Sequence, residues 1–325
     1  MTETQKKEMK RSRALVIMNP KSGSSFSRVK IFFSKILSPL IGTKNVAYKS
    51  IDSFSDELSL ALTKVGIHSK FEITNYKGHA KKFAEKIDEK QIDVVIVVGG
   101  DGTLNEVVNG MIGKSIPIVL VPMGTANVFS LSLGLSTDIP SLCQQIATNE
   151  AKLVDVGKVG DRYFLSMCGI GVDAYIIQKV EKGLKKYLGV FSYLLVLIYA
   201  LFRFPFDVIH FKMDESDLVY SGVFVVVSNI PYYGGKLALL PKANPSDGVL
   251  DVIIFKQKNI FKAIQFLWRM KLNLAQDLRY VSYYQAKSLR VLNPEEHKYH
   301  VDAEYVGKAP ETIEMGTPIS LILTS

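Results

Sequence analysis

Cysteine is scarce in this chain, which has two among 325 residues, Cys143 and Cys168. They lie far apart and in no metal-ligand spacing, which argues against a disulfide scaffold and against a zinc site. We therefore expect a reducing, cytoplasmic compartment and do not expect either thiol to act as a nucleophile.

Apolar runs long enough to span a bilayer are also missing. The nearly uncharged stretch Leu188–Phe202 has 15 residues, whereas a spanning helix needs about 20. It predicts either a buried helix or a helix lying at a membrane surface. Residues 1–13 are polar and basic without the apolar region of a secretory signal, and they predict a disordered basic tail, either solvated or attracted to anionic membranes.

Basic side chains outnumber acidic ones, which gives a formal net charge of +9 and a pI near 9.2. This excess favours anionic partners: nucleotide phosphates, acidic lipid headgroups or nucleic acid. No interleaving of aromatic and basic residues and no known nucleic-acid module accompanies the charge, so we expect no nucleic-acid partner.

The order of predicted elements changes near Lys152. Strands and helices alternate over residues 14–150, as in a parallel α/β domain, whereas residues 151–325 contain short strands and turns typical of an antiparallel sandwich. The sequence leaves open whether the C-terminal end of the chain returns to the first domain. The first half predicts strands at Ala14–Met18, Lys70–Ile73, Val94–Val98 and Ile116–Val121, and helices at Ser27–Leu37, Gly78–Asp88 and Ile139–Ala147. The second half predicts strands at Val223–Val227, Val249–Phe255, Ser288–Leu292, Tyr299–Val301 and Ile319–Leu323, a hairpin at Gly160-Asp161, a helical hairpin-like insertion between Ala174 and Phe202, and a helix at Ile260–Lys271.

The strongest local signal is the step from the apolar run Val94–Val98 into a glycine-rich turn with one carboxylate. The turn reads Gly99-Gly100-Asp101-Gly102-Thr103, and Asn105-Glu106-Val107 then starts a helix. A run of β-branched residues predicts a strand buried on both faces. Glycines permit positive φ and let backbone N–H groups approach a polyphosphate.

Two other predicted strands end in similar loops. Met18 is followed by Asn19-Pro20-Lys21-Ser22-Gly23-Ser24-Ser25, and Val121 by Pro122-Met123-Gly124-Thr125-Ala126-Asn127. Ligands of open α/β sheets bind at the carboxyl ends of the strands, and helix N-termini there favour anions. A Gly-x-x-x-x-Gly-Lys-Ser/Thr loop is absent, and so is a Gly-x-Gly-x-x-Gly fingerprint on the first strand, which excludes a P-loop enzyme and an ordinary dinucleotide dehydrogenase.

Such a pocket suits phosphoryl transfer, which needs alignment, charge neutralisation and a carboxylate near the attacking hydroxyl. Asp101 is placed to be that carboxylate or to hold a metal ion. A second acidic pair, Asp302 and Glu304, follows a predicted strand; Glu304 reaches toward a cleft in one interpretation, and both residues form a solvated turn in the other.

These motifs resemble the diacylglycerol kinase catalytic-domain family, which includes bacterial lipid kinases and sphingoid-base kinases. The similar segments cover nearly the whole chain: Asn19–Gly23, Gly99–Val107, Pro122–Asn127, Phe164–Ala174, Tyr233–Gly235 and Pro241–Asp251. The resemblance implies an ATP-binding α/β domain, a lipid-binding β-sandwich and Mg²⁺-dependent transfer of the γ-phosphate of ATP to a lipid hydroxyl.

The resemblance also implies roles for single residues. Asp101 would be the central carboxylate and a metal ligand, Glu304 the base acting on the lipid hydroxyl, and Asp247 part of a structural Mg²⁺ network. The nucleotide-binding set is predicted as Asn19, Lys21, Ser22, Gly23, Gly99, Gly100, Gly102, Thr103, Glu106, Gly124, Thr125 and Asn127.

Two departures from the family pattern bear on this assignment. Val128 stands where many members have aspartate, and Ala303 stands where many have glycine, so Ala303 would be strained at positive φ. Two alternatives stay open: a soluble NAD kinase-like enzyme, and a catalytically silent lipid-binding regulatory protein. The sequence does not identify the lipid that accepts the phosphate. It also leaves open whether the protein forms a homodimer through an exposed strand edge. Peripheral contact with an anionic membrane surface is expected.

Overall fold

The computed structural model describes residues 13–22, 51–124, 126–135, 139–148, 151–179, 207–257, 259–272, 274 and 278–323. Within these ranges the chain divides into two compact units. The first contains residues 13–22, 51–153 and 319–323, and the second contains residues 154–179 and 207–318, apart from the few positions outside the description.

The first unit is built on a six-stranded sheet with strand order β2-β1-β3-β4-β20-β5. Its strands are β1 (Arg13–Met18), β2 (His68–Ile73), β3 (Val94–Gly99), β4 (Ile118–Pro122), β5 (Ala151–Val154) and β20 (Ile319–Ile322). Neighbours from β2 to β20 pair in parallel. All residues of β3 are buried, as expected for a strand covered by helices on both faces.

Five helices of the described chain belong to this unit: α1 (Ile51–Lys64), α2 (His79–Glu85), α3 (Asp101–Met111), α4 (Val128–Ser132) and α5 (Ile139–Thr148). One core joins Leu58 of α1 and Leu142 of α5 to Val16 and Ile96 of the sheet. Gly110 of α3 lies so close to α2 that a Cβ would be 2.5 Å from the Lys81 carbonyl oxygen.

The second unit contains two six-stranded sheets and a small hairpin. One sheet has the order β10-β9-β16-β19-β6-β7, the other β15-β14-β11-β8-β17-β18, and β12 pairs with β13. The strands are β6 (Gly157–Val159), β7 (Arg162–Phe164), β8 (Met167–Gly171), β9 (Ile209–Met213), β10 (Tyr220–Gly222), β11 (Phe224–Ser228), β12 (Tyr232–Tyr233), β13 (Leu237–Ala238), β14 (Leu250–Phe255), β15 (Val281–Ala286), β16 (Ser288–Val291), β17 (Lys298–Val301), β18 (Glu304–Lys308) and β19 (Thr312–Met315). The helices are α6 (Val172–Lys179) and α7 (Ile260–Lys271), with a 3-10 turn at Pro294–Glu296.

Side chains of the second sheet alternate between two cores. In β14, Val252 and Ile254 join Phe211 and Leu289 of the other sheet in one core. Ile253, the residue between them, joins a second core beneath α7. This period of two is the signature of a strand packed on both faces, and it gives a sandwich covered on one side by α7.

The predicted fold class, a parallel α/β domain followed by an antiparallel sandwich, is confirmed. The predicted strands are present with ends shifted by up to two residues. The four helices predicted within the described chain are also present, with ends shifted by up to four residues. The predicted helix Ser27–Leu37, the stretch Leu188–Phe202 and residues 1–12 of the predicted disordered tail 1–13 lie outside the described residues. Arg13, the last residue of that predicted tail, is instead the first residue of β1.

Candidate active site

The three predicted loops follow β1, β3 and β4, which are adjacent in the sheet. They are joined by hydrogen bonds. The Asn19 N–H donates to the Val98 carbonyl over 2.9 Å, and the Met123 N–H donates to the Gly99 carbonyl over 2.8 Å. The Asn19 side-chain amide donates to the Thr103 hydroxyl over 3.0 Å. Asn19, Gly99 and Thr103 of the predicted set are therefore brought together.

Close backbone contact joins the second and third loops. A Cβ on Gly124 would lie 2.5 Å from Gly100 Cα and 2.4 Å from Asn127 Oδ1, so glycine is required there. Asn127 has φ 45°, its side chain is buried, and its Oδ1 has no hydrogen-bond partner among the described residues. The edge thus contains a buried acceptor at the start of α4. Thr125 and Gly23 of the predicted set lie outside the described residues.

The glycines of the central turn do not have positive φ, and two of them, Gly99 and Gly100, instead allow neighbouring atoms to approach closely. None of Gly99, Gly100 and Gly102 lies in the left-handed region, so that part of the sequence interpretation is wrong. A Cβ on Gly99 would lie 2.7 Å from Thr103 Cβ, whereas a Cβ on Gly102 would meet nothing within 4 Å. The α3 helix starts there with no side-chain cap, which leaves its N-terminus suited to an anion.

Asp101 orients α4. Its carboxylate accepts the Val128 N–H over 2.7 Å and the Phe129 N–H over 3.3 Å. These are backbone groups at the first turn of α4, where a negative charge is favourable. Val128, which replaces a common family aspartate, contributes its N–H to the site.

Glu106 orients the α2 helix, as Asp101 orients α4, by accepting backbone N–H groups at its start. Its two oxygens accept the Gly78 N–H over 2.7 Å and the Ala80 N–H over 3.1 Å. The structure therefore places this predicted nucleotide ligand in a helix cap. Its role toward a nucleotide stays a prediction.

A fourth loop, Thr74–Gly78 after β2, was not predicted as part of the site. The Thr74 N–H donates to the Met18 carbonyl over 2.8 Å, and the Lys21 ammonium lies 3.4 Å from the Asn75 carbonyl. Lys21 of the predicted set thus borders this loop. The neighbouring Ser22, also of the predicted set, donates its N–H to the Asn19 carbonyl within the first loop. The signal was available: a predicted strand was followed by a glycine before a helix, as in the other three loops.

Glu304 lies in the second unit, directly after the tight turn between β17 and β18. Asp302 and Ala303 occupy that turn with φ of 47° and 60°, so the expected positive φ at Ala303 is confirmed. The Glu304 carboxylate pairs with the Arg162 guanidinium at 2.7 Å, with the side chains 32 and 31% exposed. An ion pair this exposed adds at most about 1 kcal/mol, and its main effect is to orient Glu304.

Asp302 lies in a partly exposed turn, but its carboxylate is bound by the protein. Its carboxylate accepts the backbone N–H groups of Leu165, Ser166 and Met167 over 2.8–3.0 Å. Burial raises the pKa of this carboxyl above its ordinary value, although the three hydrogen bonds act in the opposite direction. Asp302 therefore fixes the hairpin that carries Glu304 to the β7–β8 turn.

A buried polar chain lies behind the same hairpin and was missed from the sequence. His300 Nε2 lies 2.6 Å from Asp173 Oδ2, both side chains are almost fully buried, and the Tyr233 hydroxyl donates to the other oxygen of Asp173. A Cβ on Gly169 would lie 2.3 Å from His300 Nε2. A carboxylate inside the apolar segment Met167–Ala174 was the available signal, because a buried charge requires a partner.

Asp247 follows the segment Pro241–Ser246. The loop is held by Asp155, whose carboxylate accepts the Gly248 N–H over 2.8 Å. Nearby, the buried Asp251 has one carboxylate oxygen without a hydrogen-bond partner among the described residues. Burial raises the pKa of Asp251, and the charge of Asp247 adds to the effect. An unpartnered buried oxygen beside a second carboxylate suits a hard cation.

Other chemistry has little support within the described ranges. They contain no group of three or more His, Cys, Asp or Glu residues able to hold a metal by themselves. Both thiols are buried, and burial raises the pKa of Cys143 to about 11. Every helix in those ranges is too short or too polar to cross a bilayer.

The fold and site together define a class: a parallel α/β unit with glycine-containing loops at the carboxyl edge of its sheet, followed by an antiparallel sandwich carrying a further carboxylate. The family profile "Diacylglycerol kinase catalytic domain" matches residues 44–159, and "YegS C-terminal NAD kinase beta sandwich-like domain" matches residues 166–324.

Similar proteins carry names of the same kind. "Putative lipid kinase YtlR" of Bacillus subtilis is 30% identical over 298 residues, 85% of this chain and 94% of that protein. "Putative lipid kinase SH2167" of Staphylococcus haemolyticus is 28% identical, with 82 and 89% covered. A crystal structure titled as a putative diacylglycerol kinase from Bacillus anthracis has a TM-score of 0.71 at 23% identity and covers 96% of this chain and 97% of that one. The chain belongs to the diacylglycerol kinase-like lipid kinase family.

Proposed function

We propose that this protein is an ATP- and Mg²⁺-dependent lipid kinase that transfers the γ-phosphate of ATP to a hydroxyl of a diacylglycerol or sphingoid-type lipid. The observation that carries the proposal is the edge formed by the loops after β1, β3 and β4. These loops bind one another through Asn19, Gly99 and Met123, yet they leave open space beside Gly102 at the start of α3.

The nucleotide fits this edge for two reasons. The α3 N-terminus and the space at Gly102 suit phosphate oxygens, and the buried Asn127 Oδ1, which has no described partner, suits a donor such as a ribose hydroxyl. Phosphoryl transfer needs mainly positioning and electrostatic stabilisation, which is what rigid loops supply.

Asp101 would hold Mg²⁺ together with the nucleotide phosphates, because this ion is commonly bound by one or two carboxylates plus substrate oxygens. Asp247 would hold a second, structural ion. When bound, the ion at Asp101 neutralises phosphate charge. The α4 backbone fixes the direction in which Asp101 presents its carboxylate.

Glu304 would take the proton from the lipid hydroxyl as its oxygen bonds to the γ-phosphorus and ADP leaves. Arg162 keeps the carboxylate in a defined orientation, and Asp302 fixes the turn beside it. We further propose a cytoplasmic protein in peripheral contact with an anionic membrane, where such acceptors are found.

The test is phosphate transfer from labelled ATP to a panel of lipid acceptors in mixed micelles, read by mass spectrometry. We expect the wild type to label a diacylglycerol or a sphingoid base, and Glu304→Gln to lose about 10²-fold or more in kcat. Glu314→Gln is the matched control, since Glu314 also pairs with a cation in this unit, Lys158 at 3.1 Å. Its kcat should be unchanged.

Either of two results would contradict the proposal and favour an alternative function. Formation of NADP from NAD by the wild type would support the NAD kinase-like alternative. Lipid binding without any phosphorylated product, at saturating MgATP and across the whole panel, would support a catalytically silent lipid-binding protein.

A further inference from the structure

The α7 helix has an exposed apolar stripe, formed by Phe261, Ile264 and Trp268. Their side chains are 79, 53 and 68% exposed. The spacing of three and four residues places them on one face of the helix. Leu272 and Leu274, which follow the helix, are also exposed and extend the apolar surface.

The opposite face of α7 fixes the helix to the sandwich. Phe266 and Met270 are buried in the core that contains Phe255 and Tyr280, and the Phe255 and Phe266 rings lie 5.4 Å apart. The Asn259 side chain accepts the Lys262 N–H and caps the helix. The stripe therefore points away from the core that holds the helix.

The segment that carries the stripe has charge of a single sign in its sequence. Residues 256–272 contain five basic side chains, at positions 256, 258, 262, 269 and 271, and no acidic one. The Lys262 ammonium lies 5.2 Å from the centre of the Tyr280 ring, and the Arg269 guanidinium donates to the Leu274 carbonyl over 3.2 Å. The Arg269 guanidinium is thus held beside Leu274 of the apolar surface, and the Lys262 ammonium is held against a ring of the core beneath the helix.

We propose that the α7 surface, defined by Phe261, Ile264, Trp268, Leu272 and Leu274, docks the protein on an anionic lipid bilayer. Interfacial helices combine an apolar face that enters the boundary of the acyl chains with basic residues that contact acidic headgroups. Tryptophan favours that boundary because its ring is apolar with one polar group. The inference builds on the proposed membrane contact but not on phosphoryl transfer.

Charge complementarity favours the bilayer over a second copy of this chain. In a two-fold symmetric contact through α7, the same patch lies on both subunits, so the basic side chains of one copy would face those of the other. An anionic headgroup layer instead offers the opposite charge, and basic residues near such a surface each contribute about 1 kcal/mol.

Trp268 makes the proposal directly measurable, because it is the only tryptophan in the chain. We expect its emission to shift to the blue when vesicles of phosphatidylcholine and phosphatidylglycerol are added to the full-length protein, and brominated acyl chains to quench it. Pure phosphatidylcholine should give a much weaker shift, and salt should reduce binding to anionic vesicles because it screens surface charge. The measurement contains neither ATP nor an acceptor, so it is independent of kinase activity.

The double variant Phe261→Ser/Ile264→Ser should reduce partitioning to anionic vesicles about tenfold or more, because two apolar side chains no longer leave water. The matched control is Leu218→Ser/Val219→Ser, which changes two residues that are 66 and 55% exposed elsewhere in the second unit. It should bind vesicles as the wild type does.

Three outcomes would overturn the proposal. Emission that is already blue without vesicles and independent of protein concentration would show that the chain itself covers the stripe. A blue shift that tracks self-association in light scattering would assign the surface to a second copy. Equal vesicle binding by the double variant and the control would place the membrane contact elsewhere.

Discussion

Gly102 and Gly124 lie in neighbouring loops of the same edge, yet the space around them is opposite in kind. A Cβ on Gly124 would lie 2.4 Å from Asn127 Oδ1 and 2.5 Å from Gly100 Cα, and a Cβ on Gly102 would meet no atom within 4 Å. Gly124 is explained by the packing of the protein itself. Gly102, which does not have positive φ, has no such explanation, and we infer that its space is kept for the nucleotide.

The variant Gly102→Ala separates these two causes. Because Gly102 lies in the first turn of α3 with free space around it, alanine should stabilise the protein by roughly 0.5–1 kcal/mol. If phosphate occupies that space, ATP affinity should fall about tenfold or more, which corresponds to about 1.4 kcal/mol. Thermal unfolding and titration calorimetry with MgATP give the two quantities.

The comparison variant is Gly124→Ala, which should lower both stability and ATP affinity because its Cβ collides with backbone. If Gly102→Ala binds ATP as tightly as the wild type does, the phosphates lie elsewhere and our assignment of this turn is wrong.

Sequence reasoning located the residues of this edge better than their contacts. Asn19, Gly99, Gly100, Thr103 and Gly124 could be predicted because each follows an apolar strand of one parallel sheet, and such strand ends meet. Two hydrogen-bond donors to Asp101 could not be predicted, because they are backbone N–H groups 27 and 28 positions away. Every residue except proline has a backbone N–H whatever its side chain. The sequence therefore does not indicate which N–H groups bond to a carboxylate, and the fold is needed to identify them.

At the scale of elements, α3 organises its neighbours. Asp101 in its first turn holds the start of α4, and Glu106 one turn later holds the start of α2. The α4 and α2 helices have 5 and 7 residues, lengths that are not stable alone in water. The carboxylates of α3 therefore contribute to both helices and to the loops before them.

The variant Glu106→Gln tests whether this residue is mainly a cap. Glutamine keeps one oxygen but turns an NH₂ toward a backbone donor, and leaving a buried N–H without an acceptor costs about 1–3 kcal/mol. We expect that loss in urea unfolding, with faster amide exchange at Gly78 and Ala80. Glu85→Gln on α2 is the control. The Glu85 carboxylate is exposed, and its ion pair with the Lys81 ammonium is long, at 3.9 Å. This substitution should therefore change the stability little.

A different result would restore the predicted nucleotide role. If Glu106→Gln unfolds like the wild type but binds MgATP more weakly, Glu106 acts on the ligand and the cap contributes little.

Most elements with a periodic apolar pattern were predicted, with one exception among the helices. The α1 helix was missed although Phe54, Leu58 and Leu62, all buried, repeat every four residues and could have indicated it. The 3-residue strand β10 is too short for an alternating pattern to be recognised. Strand ends were shifted because they depend on hydrogen bonds to neighbouring strands, and single residues do not encode these.

At the scale of the whole molecule, chain order and sheet order differ. The last strand, β20, lies between β4 and β5 in the sheet of the first unit, after the chain has formed the entire described part of the second unit. Leu321 pairs with Ile118 of β4 and is fully buried. The sequence left this return open, because an apolar final strand suits either sheet. The first unit therefore depends on residues that follow the second unit in sequence.

This dependence predicts that Leu321→Ala weakens the first unit, although residue 321 follows the second unit in sequence. Removing a buried leucine side chain costs about 2–5 kcal/mol, and hydrogen exchange read by mass spectrometry should show faster exchange in β3 and β4 than in β11 and β14. Leu289→Ala, at a buried position in the core of the sandwich, is the matched control and should give the reverse pattern. If both variants accelerate exchange equally in all four strands, the two units unfold as one cooperative body, since local openings would otherwise remain confined to the unit that lost its leucine.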